Sequence, residues 1–191
     1  MKKNLLISIW FTLATTVLLG IIYPLVVTGL AQLMFPKQAN GQLIRQGTKL
    51  IGSHIIGQPF TAPGYFYSRP SAAGPAGYDP TASGGSNLGP TNKTLIDRVS
   101  ASVKALQPTN PNAPVPADLV TTSGSGLDPH ISPAAAEFQI RRVANERKMS
   151  EQEVAGLVQK HIEGRQFGFL GEPRVNVLEL NLDLDSAHPM H

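Results

Sequence analysis

Leu5–Phe35 reads LLISIWFTLATTVLLGIIYPLVVTGLAQLMF, and no charged side chain falls between Asn4 and Pro36. At 1.5 Å per residue, a helix of about 30 residues reaches roughly 45 Å, more than the ~30 Å hydrocarbon core of a bilayer. A helix that is apolar on every side is either buried in a core or spans a membrane. The length of this one predicts a single transmembrane helix. A secretory signal peptide is the competing reading: Gly29 and Ala31 make a weak small-x-small cleavage match. Such peptides carry an apolar region of about 7–15 residues, and this run is about twice that, so a permanent anchor is expected. Lys2 and Lys3 precede the span, and the positive-inside rule keeps them in the cytoplasm. Lys37, Arg45 and Lys49 follow it, but long domains translocate largely regardless of charge. The expectation is residues 1–36 as cytoplasmic N-terminus and transmembrane helix, and residues 37–191 as a periplasmic-side domain of a single-pass inner-membrane protein.

Within the span, Thr16 and Gly20 form a small-xxx-small pair, the spacing that lets helices approach closely in lipid. Gly and Thr are also ordinary residues of membrane helices, so the pair is a helix-packing candidate rather than a proven seam. Thr12, Thr15 and Thr28 add hydroxyls. Pro24 removes a backbone donor and predicts a kink. Trp10 fits the inner membrane interface.

The 191 residues carry 16 Lys and Arg against 13 Asp and Glu, and every acid lies after Pro36. Because Lys2 and Lys3 sit before the span, the domain beyond it is close to neutral, which excludes a basic stripe and predicts no nucleic-acid partner. The absence of cysteine excludes disulfides, a thiolate nucleophile and Cys-ligated metal. With 18 Gly and 16 Pro, a loop-rich fold with many fixed turns is expected.

Apolar pairs between glycines over residues 41–56 predict one or two short strands. Gln58–Gly64 reads as a turn, and Tyr65, Phe66 and Tyr67 as an aromatic knot. Ser71–Asn92, with its Gly and Pro, reads as an ordered surface loop. Leu95, Val99, Val103 and Leu106, with Ile96 beside them, recur at helical spacing over Thr91–Leu106, capped by Asn92 or Thr91. Residues 109–116 form a Pro-rich extended connector. Ser132 followed by Pro133 predicts a helix to about Lys148, with Ala135, Phe138, Arg142 and Val143 on one face. Ser150 with Glu153 is a capping box that opens another helix, with Val154, Leu157, Val158 and Ile162 on its apolar face and Gly164 as its stop. Val175, Val177, Leu180, Leu182 and Leu184 alternate with polar residues and predict a terminal, well-paired strand. His188 and His191 read as an unstructured tail. The fold class expected is α+β: one N-terminal transmembrane helix and a single loop-rich domain with a few strands and three helices.

No G-x-x-x-x-G-K-[ST] loop and no G-x-S-x-G elbow occurs. Gly84, Gly85 and Gly89 approximate a phosphate cradle, but no strong strand precedes them. Gly124 and Gly126 lie before the Pro133 helix, where anion binding competes with ordinary capping. Asp128 and His130 are too few for a zinc site, so no metal is expected. Ser125, Asp128 and His130 gather three triad residue types within six positions; triad members usually converge from separate elements. A membrane-anchored extracytoplasmic hydrolase using these three is carried as the alternative function, and a nucleotide-binding module as a third.

Five blocks sharpen this reading: GSHIIGQPF from Gly52, YFYSRPSA from Tyr65, SGGSNLGPTN from Ser83, SGSGLDPHIS from Ser123 and LGEPRVNVLELNLDLD from Leu170. With the span, they make the chain resemble the C-subunit family of the bacterial potassium-transporting Kdp ATPase. The resemblance implies a pump built of the channel-like KdpA, the P-type ATPase KdpB and the small peptide KdpF. It implies this chain as the accessory single-span member, needed for assembly and raising the ATP affinity of KdpB. P-type pumps form an aspartyl phosphate at D-K-T-G, and that motif is absent here; catalysis is expected on another chain. The expected topology leaves only residues 1–4 inside, so no bound cofactor is expected and ATP is expected to act only through the ATPase chain. Ser86, Asn87, Asn92, Ser125, Asp128 and His130 in the two glycine-rich loops are the partner-contact candidates, though the same loops could equally brace the domain's own core.

Overall fold

The computed structural model describes residues 2–189, which divide into two compact units, one ending at Ile51 and one beginning at Gly52. In the first unit, α1 (Lys2–Val17) and α2 (Tyr23–Met34) are joined by a π-helical turn at Leu18–Ile22. Together they form a rod of 33 residues, none of it buried, that is long and apolar enough to cross a membrane. The disturbance expected at Pro24 takes the form of that π turn. Pro24 has no N–H to give the Gly20 carbonyl, and Tyr23 N–H bonds Leu18 O, one residue wider than an α-helical step. The rod ends in a clasp: Asn40 Nδ2 donates to Gln32 Oε1 at 3.0 Å and to Pro36 O at 2.6 Å. After α3 (Pro36–Ala39), the expected short strands are β1 (Leu43–Gln46) and β2 (Lys49–Ser53), which pair as a two-stranded sheet.

The second unit holds α4 (Lys93–Leu106), β3 (His130–Ile131), α5 (Pro133–Arg147), α6 (Glu151–Lys160), β4 (Ile162–Glu163), β5 (Arg174–Asn176) and α7 (Val177–Ala187). The helix starts follow from local chemistry. Asn92 accepts from Thr94 N–H at 2.8 Å, and Ser132 Oγ from Ala135 N–H at 3.1 Å. Ser150 and Glu153 complete the capping box in both directions. The three strands form one antiparallel sheet in the order β3-β5-β4, with Val175 between Ile131 and Ile162. Phe66, Ile131, Phe138, Val143, Val154, Val158, Val175, Leu180 and Leu184 close the core.

The terminal strand expected from the alternating leucines is a correction. Only Arg174–Asn176 is strand; Val177–Ala187 is helix. Asn176 Oδ1 accepts from Glu179 N–H at 3.2 Å and starts it. Leucines at every second position also fall at i, i+4, so 177, 180, 181 and 184 make a helical stripe, and all four are buried. Among its described residues the second unit therefore has four α-helices rather than three. Gly164 does not stop α6: the helix ends at Lys160, and Ile162 belongs to β4. His188 is not loose, because its carbonyl accepts from Arg147 Nη1 at 2.7 Å; His191 lies outside the described residues.

Residues 63–67 leave a turn, closed by Tyr65 N–H on Ala62 O at 3.0 Å, and join no strand, so side chains of α5 and α7 satisfy most of their remaining backbone groups. Asn181 Nδ2 donates to Phe66 O at 3.0 Å, and its Oδ1 accepts from Phe66 N–H at 2.9 Å. Gln139 does the same for Tyr67, accepting from its N–H at 2.7 Å and donating to its carbonyl at 3.3 Å. Arg142 donates to the carbonyls of Pro63 and Tyr65 and lies 3.7 Å from the centre of the Tyr67 ring. Arg147 donates to Gly64 O at 2.6 Å and pairs with Asp185 at 2.7 Å.

Asn181→Leu strips two buried backbone groups of their partners at once. It is expected to cost about 2–5 kcal/mol, against about 0.5 kcal/mol or less for exposed Gln159→Ala. Urea unfolding of the full chain in mild detergent, read by protease cleavage of the unfolded fraction, checks the difference; equal costs would show the clamp to be unimportant.

Candidate functional site

The two glycine-rich loops fold onto each other. Gly84 N–H and Ser83 Oγ both donate to Ser125 O, at 2.8 and 3.1 Å. Gly126 has φ +68°, and a Cβ there would stand 2.7 Å from Gly84 O and 2.8 Å from Ala73 N. Only glycine satisfies both the backbone angle and the close approach. Ser71 ties the same point from below, donating to Gly126 O at 2.6 Å while accepting from the Ala73 and Tyr78 N–H groups.

Beside this junction sits an ionic cluster. Asp128 accepts from Arg69 Nη1 at 3.2 Å and from His130 N–H at 3.0 Å, and His130 Nδ1 lies 3.3 Å from it. Arg69 also donates to Thr122 O, and Tyr78 Oη donates to Arg69 O. Burial works to raise the Asp128 carboxyl; the hydrogen bonds from His130 and the charges of His130 and Arg69 outweigh it and hold the group below the usual carboxylate range. The Nε2 of His130 and Nε of Arg69 are buried and bond no protein group.

The structure thus sorts the contact candidates. Ser125, Asp128 and His130 meet at the loop junction. Asn92 is spent capping α4, Ser86 is half-buried, and Asn87 stands exposed in the left-handed region at φ +51°. The hydrolase geometry is not assembled: Ser125 Oγ accepts from Leu127 N–H at 3.1 Å, His130 turns Nδ1 to Asp128, and among the described residues no hydrogen bond joins Ser125 to His130. Thr16 and Gly20 share an exposed stripe of the rod, 3.9 Å separating the Thr16 methyl from a Cβ built on Gly20. Thr15 satisfies its own hydroxyl at Phe11 O and adds nothing to that stripe.

The feature that loop-based reasoning passed over is α4 itself. None of its residues is fully buried: Leu95, Val99, Val103 and Leu106 are half-buried, Leu106 against the core, and Ile96 at the edge of that face is 51% exposed. The available signal was Ile96, an apolar residue at the margin of the amphipathic stripe, where the rest of the fold does not fully cover it.

The chain matches the family model for KdpC, the c chain of the K+-transporting ATPase, over residues 5–186. It is 64% identical over 190 residues to the potassium-transporting ATPase KdpC subunit of Koribacter versatilis, covering 100% of this chain and 98% of that protein. It is also similar to the KdpC subunits of Methylococcus capsulatus, 56% identical with 97% and 96% covered, and of Sorangium cellulosum, 57% identical with 92% and 93% covered. The chain belongs to the KdpC family.

Three substitutions test the loop junction. Gly126→Ala is expected to destabilise the full chain by roughly 1–3 kcal/mol or more, whereas Gly124→Ala, which has open space around it, is expected to cost well under half of that; thermal melting distinguishes them. Asp128 titrates lower folded than unfolded, so its pairing contributes above the unfolded pKa of about 3.9 and is lost as pH falls through the lower folded value. Asp128→Asn should therefore cost roughly 1–3 kcal/mol at pH 7, a gap that starts to narrow as melts are taken below about pH 4 and closes only at still lower pH.

Proposed function

We propose that this chain is a non-catalytic, single-span member of the potassium pump, whose folded domain lies outside the cytoplasm and assembles with the other Kdp proteins. The observation that carries the proposal is the half-covered apolar face of α4, with Ile96 51% exposed at its edge, which follows directly on the exposed Asn87 loop. Leaving such a face in water is costly, and a partner surface offsets that cost. The two glycine-rich loops, locked to each other, hold Asn87 and the start of α4 in place, so docking costs little ordering entropy.

In this reading the channel-like KdpA is the partner nearest the loops and α4, KdpB performs the phosphoryl chemistry, and KdpF belongs to the same membrane assembly. The rod is the anchor, with Lys2 and Lys3 in the cytoplasm and the Thr16–Gly20 stripe against a neighbouring helix. No D-K-T-G motif is present for an aspartyl phosphate. ATP reaches this chain only through KdpB. A higher apparent ATP affinity then arises because the domain binds one pump state better than another, which shifts the population rather than contacting nucleotide.

Expressing the pump without this chain should abolish recovery of a potassium-stimulated ATPase, and Ile96→Asp in the restored chain should reduce co-purification about 10-fold, the effect of ~1.4 kcal/mol. Protease added to sealed vesicles from the extracytoplasmic side should remove the folded domain. A fully active pump without the chain, or cleavage only from the cytoplasmic side, overturns the proposal.

A further inference from the structure

The connection from β4 to β5 ends in a tip, Gln166-Phe167-Gly168-Phe169-Leu170, that has no role in the fold or in the loop junction. The tip is built rather than loose. Gln166 and Leu170 exchange both backbone hydrogen bonds at 2.9 Å. Below it, Arg165 pairs with Glu172 at 2.6 Å and Arg174 with Glu163 at 2.8 Å.

Its side chains face water. Phe167 is 88% exposed, Phe169 70% and Leu170 47%. Phe167 also sits at φ +53° and Gly168 at φ +80°, the left-handed pair that tight hairpin turns require and that Asn, Asp or Gly adopt at least cost. A bulky aromatic in that region is a conformational outlier. The domain therefore holds two phenylalanines outward on a strained backbone and recovers nothing for it internally. An external apolar phase supplies what the fold does not.

Two observations identify that phase. The tip is a few residues wide, far short of the roughly 800 Å² per partner of a standard protein interface, and the charges around its base are paired with one another instead of forming an outward polar rim. A bilayer needs only a small apolar wedge, and one is always near. The apolar rod ends at Met34 and the second unit begins at Gly52, and the chain between them spans at most ~60 Å when fully extended. The domain thus meets the membrane surface at a high effective concentration.

We propose that the Phe167–Leu170 tip is a second membrane contact, inserting Phe167 and Phe169 into the interfacial layer of the bilayer from which the rod emerges. This rests on the reading of Lys2–Met34 as a span. Because the base charges are paired, insertion takes neutral lipid and is insensitive to salt.

The chain has no cysteine, so single labels are clean. The full-length Phe169→Cys and Gln159→Cys variants, each carrying an environment-sensitive fluorophore, are reconstituted in phosphatidylcholine vesicles. At position 169 the emission should shift to the blue and be quenched by spin-labelled lipid rather than by aqueous iodide, equally at low and high salt; at position 159 it should be quenched by iodide. Adding Phe167→Ser should restore iodide quenching at position 169 while the far-ultraviolet circular dichroism stays unchanged. Iodide quenching at both positions overturns the proposal. Shielding of position 169 that arises only on adding the other pump proteins also overturns it and assigns the tip to a protein pocket. Failure of the anchor reading is distinguishable, since the chain would then leave the vesicles altogether.

Discussion

The second unit depends on a segment, leading out of a turn, that has no strand to pair with. Residues 63–67 lie between α5 and α7, and an unpaired buried backbone there would cost more than a small domain has to spare. Gln139 and Asn181 act as surrogate strand edges, each offering one donor and one acceptor to a single residue. Arg142 and Arg147 take the remaining carbonyls and cover the Tyr67 and Tyr65 rings. The arrangement fixes α5 against α7 through a third segment, and it buries polar side chains without leaving them unsatisfied.

From that clamp the chain is carried to the loop junction. Residues 68–71 leave it directly, and Arg69 and Ser71 then bind Asp128 and Gly126 in the second glycine-rich loop. The first glycine-rich loop seats on the same junction through Gly84 and delivers the chain to Asn92, the cap of α4. The helix is thus positioned through a junction whose Arg69–Asp128 and Ser71–Gly126 contacts are half-buried. Its apolar face is only half covered, with Ile96 exposed, while its base is held, which suits a docking element better than a loose arm would.

Much of this was legible wherever the deciding interactions are local. The caps of α4, α5 and α6 follow from Asn92, Ser132 with Pro133, and Ser150 with Glu153, because capping is settled within four residues. The end of the chain was misread for the converse reason: leucines at alternate positions satisfy both a strand and an i, i+4 helical stripe, and Asn176 with Glu179 three residues on was the competing start signal. The glycine-rich loops stood out by composition, but their mutual docking joins residues 42 apart. The clamp joins residues 72 and 115 apart, which no local pattern encodes. The only trace it leaves in the sequence is a polar residue among leucines, at Asn181, and a glutamine and arginine on the buried face of α5.

Everything proposed for the pump assembly turns on the Ile96 edge of α4, half-covered by its own domain, being seated on another member of the potassium pump. A photoactivatable cross-linker on a single cysteine introduced by Ile96→Cys, irradiated in native membranes containing the whole pump, tests it most directly. The account predicts a covalent adduct with an extracytoplasmic segment of another Kdp protein; a chain that cross-links only to solvent or to itself would contradict it.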